Sequence, residues 1–208
     1  MGEMSEQKKY ALQTLSQTGL QVILIHPGNL EEYLVEPLHE GYQYLSEAHK
    51  IDYLKIYFMH YHGGGFADMK PISDDWTAAI DAFYLDRHTW ILGYQESEYG
   101  CAIIKSNPTM TQMLQDHWYE LIGNGAYVCK PRTPFTTDLY RELIQKIMVH
   151  LEQLKQFPAK EPQQVYSSQY PYPFDSMDLR AQLFHPLVYQ YRNLVSKTLP
   201  RPQYSNYM

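Results

Sequence analysis

The sequence predicts a single α/β domain with a central, mainly parallel sheet flanked by helices. Short apolar runs bounded by Gly and Pro alternate along the chain with longer stretches of helical periodicity, and strands joined through helices lie parallel. The chain has 208 residues, 44% of them hydrophobic and 19% charged, which suits one buried core and lacks the charge excess of a disordered chain.

Taken in order, residues 5–18 form a first helix, with Ser5 as its N-cap, Leu12 and Leu15 on one side and Gly19 as its stop. The continuous β-branched run 20–25 ends at Pro27-Gly28 and reads as a buried parallel strand, and Asn29 then caps a short helix through Leu34. Ile51, Leu54, Phe58 and Tyr61 lie along one stripe of a helix over 48–62, ended by Gly63-Gly64-Gly65. A brief strand, 66–69, closes at Pro71, and Ser73 or Asp74 caps a helix through Ala82. Strands are expected over 89–93 and 101–105, with a polar link between them. A helix runs from Pro108 through Leu121 to the stop Gly123-Asn124-Gly125, a short strand covers 127–129, and a long helix covers 136–155. Residues 155–175 are a Pro- and Tyr-rich loop with one strand candidate at 165–167, and 199–208 is a polar tail.

Composition narrows the function classes. Seventeen Lys plus Arg against 23 Asp plus Glu give a net charge of -6 without a basic run, which disfavours nucleic acid and anionic membranes as partners. No stretch approaches the ~20 apolar residues of a membrane span, and the polar opening lacks an apolar signal core, so the expected location is cytoplasmic. Two cysteines, Cys101 and Cys129, are too few for a disulfide framework and read as buried thiols. The 20 tyrosines suit sugar or base stacking and equally suit core rims.

Residues 49–70 carry the chemistry. On a helix, Asp52 and Lys55 share a face, the glycines allow a sharp turn, and Asp68 falls at the carboxyl end of a short strand, where open α/β sheets bind ligands. A carboxylate there can hold a divalent ion that also grips a diphosphate, whereas the plain alternative is a surface turn. His60 and His62 lie two apart at a helix end, cannot both face one ion, and read as partners of the helix dipole.

This stretch resembles the capsular-polysaccharide-synthesis and DXD sugar-binding glycosyltransferases, whose segment reads roughly Ser-Asp-x-x-Arg, about seven residues, then Gly-Gly-x-Tyr-x-Asp-x-Asp. Ile51-Asp52 stands for Ser-Asp, Lys55 for Arg, Gly63-Gly64 for the glycine pair, Phe66 for Tyr and Asp68 for the first Asp, with the spacing kept. Lys70 takes the place of the second Asp, and no strand precedes Ser5 where the family opens with one. As a small unit the chain looks most like glycosyltransferase domains of large algal viruses.

The resemblance implies a GT-A fold and a UDP-sugar or related nucleotide-sugar donor, with a glycan or glycoprotein as acceptor. It implies a Mn2+ (or Mg2+) ion on Asp68, with His185 as a further ligand, and donor contacts from Asp52, Lys55, Gly64, Gly65, Phe66, Asp68 and Lys70. Candidate bases for the acceptor hydroxyl are Glu96, Glu98 and Asp138, each equally readable as a solvated loop or helix-start acid. The alternative, which Lys70 permits, is a catalytically silent carbohydrate-binding or scaffold protein. A nucleotidyltransferase would carry a Gly-rich basic phosphate loop near its start, and none is present.

Overall fold

A computed structural model describes residues 5–159 and 170–203. The strand candidate at 165–167 and the end of the tail, 204–208, lie outside the described residues.

The architecture is mixed α/β: a four-stranded mixed sheet flanked by helices. In chain order the helices among the described residues are α1 (Glu6–Leu15), α2 (Glu47–Tyr61), α3 (Thr77–Leu85), α4 (Pro108–Asp116), α5 (Pro134–Val149), the six-residue α6 (Leu151–Gln156) and α7 (Ala181–Gln190), besides short 3-10 turns. The strands are β1 (Gly64–Ala67), β2 (Ile91–Gln95), β3 (Ile122–Cys129) and β4 (Val195–Ser196), in the order β1-β3-β2-β4.

Local chemistry explains the ends of these elements. Ser5, Ser46, Asn107 and Thr133 cap α1, α2, α4 and α5 through side-chain oxygens that accept N–H groups three residues on. Gly19 adopts φ 76° to leave the first helical segment. Gly63, at φ 67°, reverses the chain between α2 and β1; a Cβ there would meet the Cys129 carbonyl at 2.8 Å and the Pro131 ring at 2.6 Å.

Strand alternation divides the core into two layers. Ile91, Tyr127 and Cys129 face α2, α5 and α7, with Tyr53, Leu139 and Phe184 among their neighbours. Leu92, Tyr94, Ala126 and Val128 face the opposite side, with Trp76, Ile80 and Phe83.

Four expectations are corrected. The sheet is not mainly parallel: β3 runs antiparallel to both β1 and β2, and only β2 and β4 are parallel. The cause is Gly123-Asn124-Gly125, which lies inside β3 instead of stopping a helix. Residues 20–25 form no strand: Val22, Ile23 and Leu24 are 44%, 54% and 48% exposed, and Asn29 ties the run's end by donating to the Leu24 carbonyl and accepting the His26 N–H. Residues 101–105 also form no strand, because side chains take their N–H groups: His185 Nδ1 accepts that of Ala102 and Thr111 Oγ1 that of Ile104. The long helix expected over 136–155 breaks at His150. The helix α7, absent from the sequence reading, carries Pro186 in its interior.

Candidate functional site

The strands β1 and β2 both run antiparallel to β3, and β4 is parallel to β2, so the carboxyl ends of β1, β2 and β4 lie at one end of the sheet. Asp68 follows β1 directly and its N–H donates to the Gly125 carbonyl at 2.7 Å. Because the chain reverses at Gly63, this end of β1 lies away from the carboxyl end of α2 and toward its earlier turns. Asp52 and Lys55 come from those turns.

Both residues are buried, so the donor-facing pair expected from sequence lies beneath the surface. Lys55 Nζ donates to the Asn124 carbonyl at 2.5 Å and sits 4.3 Å from the centre of the Phe66 ring and 5.4 Å from that of Tyr127. Burial pushes the Asp52 carboxyl up to about 6, Lys55 and Arg180 pull against that, and Asp68 adds to it. Burial brings the Lys55 ammonium down to about 8 against the opposing pull of Asp68 and Asp52, with Arg180 adding to the fall. Asp52, Lys55 and Asp68 therefore share one electrostatic cluster.

Arg180, Tyr127 and Asn124 complete it, and the sequence reading did not include them. With Asp52 and Lys55 they line a cavity of about 10 Å³, the size of one water. Among the described residues Tyr127 Oη and Arg180 Nε are fully covered without a hydrogen-bond partner, while Arg180 Nη2 reaches the Met177 sulfur at 3.2 Å. Arg180 stands alone before α7 with no spacing to mark it; Tyr127 faces this side by strand alternation.

The other predicted site residues are scattered. Gly64 and Gly65 pair with Cys129 and Val128 at the amino end of β1, away from Asp68, so the glycines serve the chain reversal instead of a ligand. Phe66 lies under Lys55, and Lys70 follows Asp68, its N–H donating to the Asp68 carbonyl at 2.6 Å. Asp138 lies at the far end of the sheet: it accepts from Tyr191 Oη at 2.6 Å and pairs with Arg141 at 2.9 Å, and Tyr191 packs on Trp90, just before β2. Asp138 is thereby excluded as a base beside Asp68.

Glu96 is buried beside His185. Its Oε1 accepts the Ser97 N–H at 2.8 Å and its Oε2 lies 3.5 Å from His185 Nε2. Burial raises its pKa, but the hydrogen bonds from His185 and Ser97 and the nearby positive charge outweigh that and hold it below the usual glutamate value. His185 is itself fully buried and its Nδ1 accepts the Ala102 N–H at 3.0 Å, so both residues are committed to the interior and His185 is no ligand for an ion on Asp68. Glu98, in contrast, is exposed.

The donor set does not fit a divalent ion. Of the implied ligands only Asp68 remains, a lysine occupies the second position, and no group of three or more His, Cys, Asp or Glu among the described residues could hold a metal ion. Among the described residues no helix is long and apolar enough to cross a membrane. Comparison of the chain with known protein families, curated proteins and solved structures gives no match.

Proposed function

We propose that this chain is a glycosyltransferase of GT-A type that moves a sugar from a nucleotide donor, UDP-linked, to a hydroxyl of a glycan or glycoprotein. One observation carries the reading: Asp52, Lys55 and Asp68, the residues of the resemblance, converge beneath the carboxyl end of β1, where Arg180 joins them from a distant part of the chain.

In this reading the acceptor oxygen attacks the anomeric carbon while the bond to the diphosphate oxygen breaks, through a transition state of oxocarbenium character. The acceptor proton passes to a carboxylate, for which Glu98 is the exposed candidate. The leaving diphosphate gains negative charge, and Arg180 and Lys70 meet it without a protein-held ion. Lys55 acts from below as a positioning residue: it offsets Asp68 and fixes the Asn124 carbonyl.

The incomplete metal set favours one second reading, a silent carbohydrate-binding protein of the same architecture. A donor screen by nucleotide release separates them. Release of UDP from one UDP-sugar, accelerated by an acceptor, supports transfer. Silence across the screen together with sugar binding supports the second reading.

A further inference from the structure

An open groove of about 540 Å³ lies at the carboxyl end of β2, and neither Asp52 nor Lys55 lines it. We infer that this groove binds a neutral oligosaccharide, the acceptor of the proposed transfer. As an acceptor site it rests on the reading above; as a carbohydrate site it does not.

Its aromatic walls are Tyr99 and Trp118, over the buried Tyr94. Tyr99 is 94% exposed, an unusual position for a ring in water. Gln95, Glu98 and Arg201 supply planar hydrogen-bonding groups on the same walls. A pyranose presents an apolar C–H face for a ring to cover and a rim of hydroxyls that paired oxygens or N–H groups can hold two at a time.

The walls are set in place by packing. A Cβ on Gly123 would overlap the Tyr94 ring, and one on Gly100 would overlap the Glu96 carboxylate, so both side chains lie directly on glycine backbone. Arg201 spans Tyr94, with its guanidinium carbon 5.7 Å from the ring centre. The strap that carries it is anchored at both sides: the Leu199 N–H donates to the Gly93 carbonyl at 3.0 Å and the Gln203 N–H to the Pro71 carbonyl at 2.9 Å. That strap links the groove to the loop after Asp68, as an acceptor site beside a donor site requires.

Charge and topology select the ligand class. Glu96 is buried and held by Ser97 and His185, so the exposed charges of the walls, Glu98 and Arg201, balance one another, which favours a neutral ligand over phosphate or uronate groups. Beyond β4, which pairs only with Ile91 and Leu92, the strap covers the edge of β2 through the Tyr94–Thr198 bridge and the Leu199 N–H to the Gly93 carbonyl, so the described residues leave no open sheet edge there for an extended peptide.

The test is ligand-observed saturation-transfer NMR of the full chain, without nucleotide, against maltose, cellobiose, lactose, diacetylchitobiose and a uronate-containing disaccharide, alongside UDP titrations. At least one neutral disaccharide should bind in the millimolar range, and Tyr99→Ala should weaken it at least fivefold without changing UDP affinity. Trp118→Ala should weaken it as well, which guards against a purely local effect of Tyr99. No neutral disaccharide bound at tens of millimolar, binding indifferent to both variants, or preference for the uronate sugar would each overturn the inference. Sugar binding with these dependences but no UDP binding would leave the groove standing and remove the transfer reading. UDP binding without sugar binding would do the reverse.

Discussion

Asp52 and Lys55 place charge in the interior, where ionisation is unfavourable. The Asp52 carboxyl rises from 3.8 to about 6, so between those values the folded chain binds more protons than the unfolded one and stability falls as pH rises. Above pH 6 the full cost is present, at most about 3 kcal/mol for about two units, and Lys55 reduces it. Asp52→Asn should therefore raise unfolding stability by about 1 to 2 kcal/mol at pH 7.5 in urea titrations, with the gain gone below pH 4, where both states hold a neutral carboxyl. An unchanged or lower stability at pH 7.5 would show that the carboxylate is stabilised and not strained there. For Lys55 the sign is opposite: its folded pKa of about 8 lies below 10.5, so its cost is complete below pH 8 and is relieved as pH rises toward 10.5. The cluster keeps Asp52 charged and Lys55 charged together only between about pH 6 and 8, and UDP affinity should be greatest in that window. A flat affinity profile from pH 5 to 9 would separate the pair from donor binding.

At the scale of elements, the hinge from α2 to β1 decides where the cluster forms. Gly63→Ala forces a Cβ into the left-handed region and against the Cys129 carbonyl, and should cost about 2 to 3 kcal/mol in urea denaturation. A loss below about 0.5 kcal/mol would mean that the turn can relax. This hinge was legible in the sequence, as were the presence of α2 and of the strand before Asp68, because a run of three glycines after a helix has few other uses; the buried face of α2 was not, since Ile51 of the expected stripe is 56% exposed while Asp52, Tyr53, Ile56 and Tyr57 turn inward. The direction of the sheet was not legible. Gly123-Asn124-Gly125 has the composition of a turn, but it lies where the β2–β3 register shifts between Gly93 and Gln95; pairing on both sides, at Tyr127 and Ile122, and the Tyr94 ring resting on Gly123 carry the stretch through as part of β3. The run 20–25 failed in the opposite sense: β-branched residues favour a strand only where an edge and a covering layer meet them, and here they lie on the surface. The helix α7 was hidden by Pro186, although Phe184, Leu187 and Val188 keep helical spacing around it. Arg180 went unseen with it, since only the packed fold places it beside Asp52.

For the whole molecule, the sheet gathers separate parts of the chain at one end: the Asp52–Lys55–Asp68 cluster under β1, Arg180 from the segment before α7, and the aromatic groove beyond β2. Arg180→Gln should keep the fold, because Arg180 is half-buried and among the described residues forms no ion pair with a carboxylate, and should weaken UDP binding at least tenfold by calorimetry. Undiminished affinity would remove Arg180 from the site. The central claim is that the chain's own cations meet the diphosphate, and calorimetric titration of UDP in excess EDTA, repeated with Mn2+ in place of EDTA, tests it most directly. The account predicts saturable binding in EDTA with an affinity within about threefold of that in Mn2+, a difference of about 0.7 kcal/mol. Binding that appears only with Mn2+, or no binding under either condition, would contradict it.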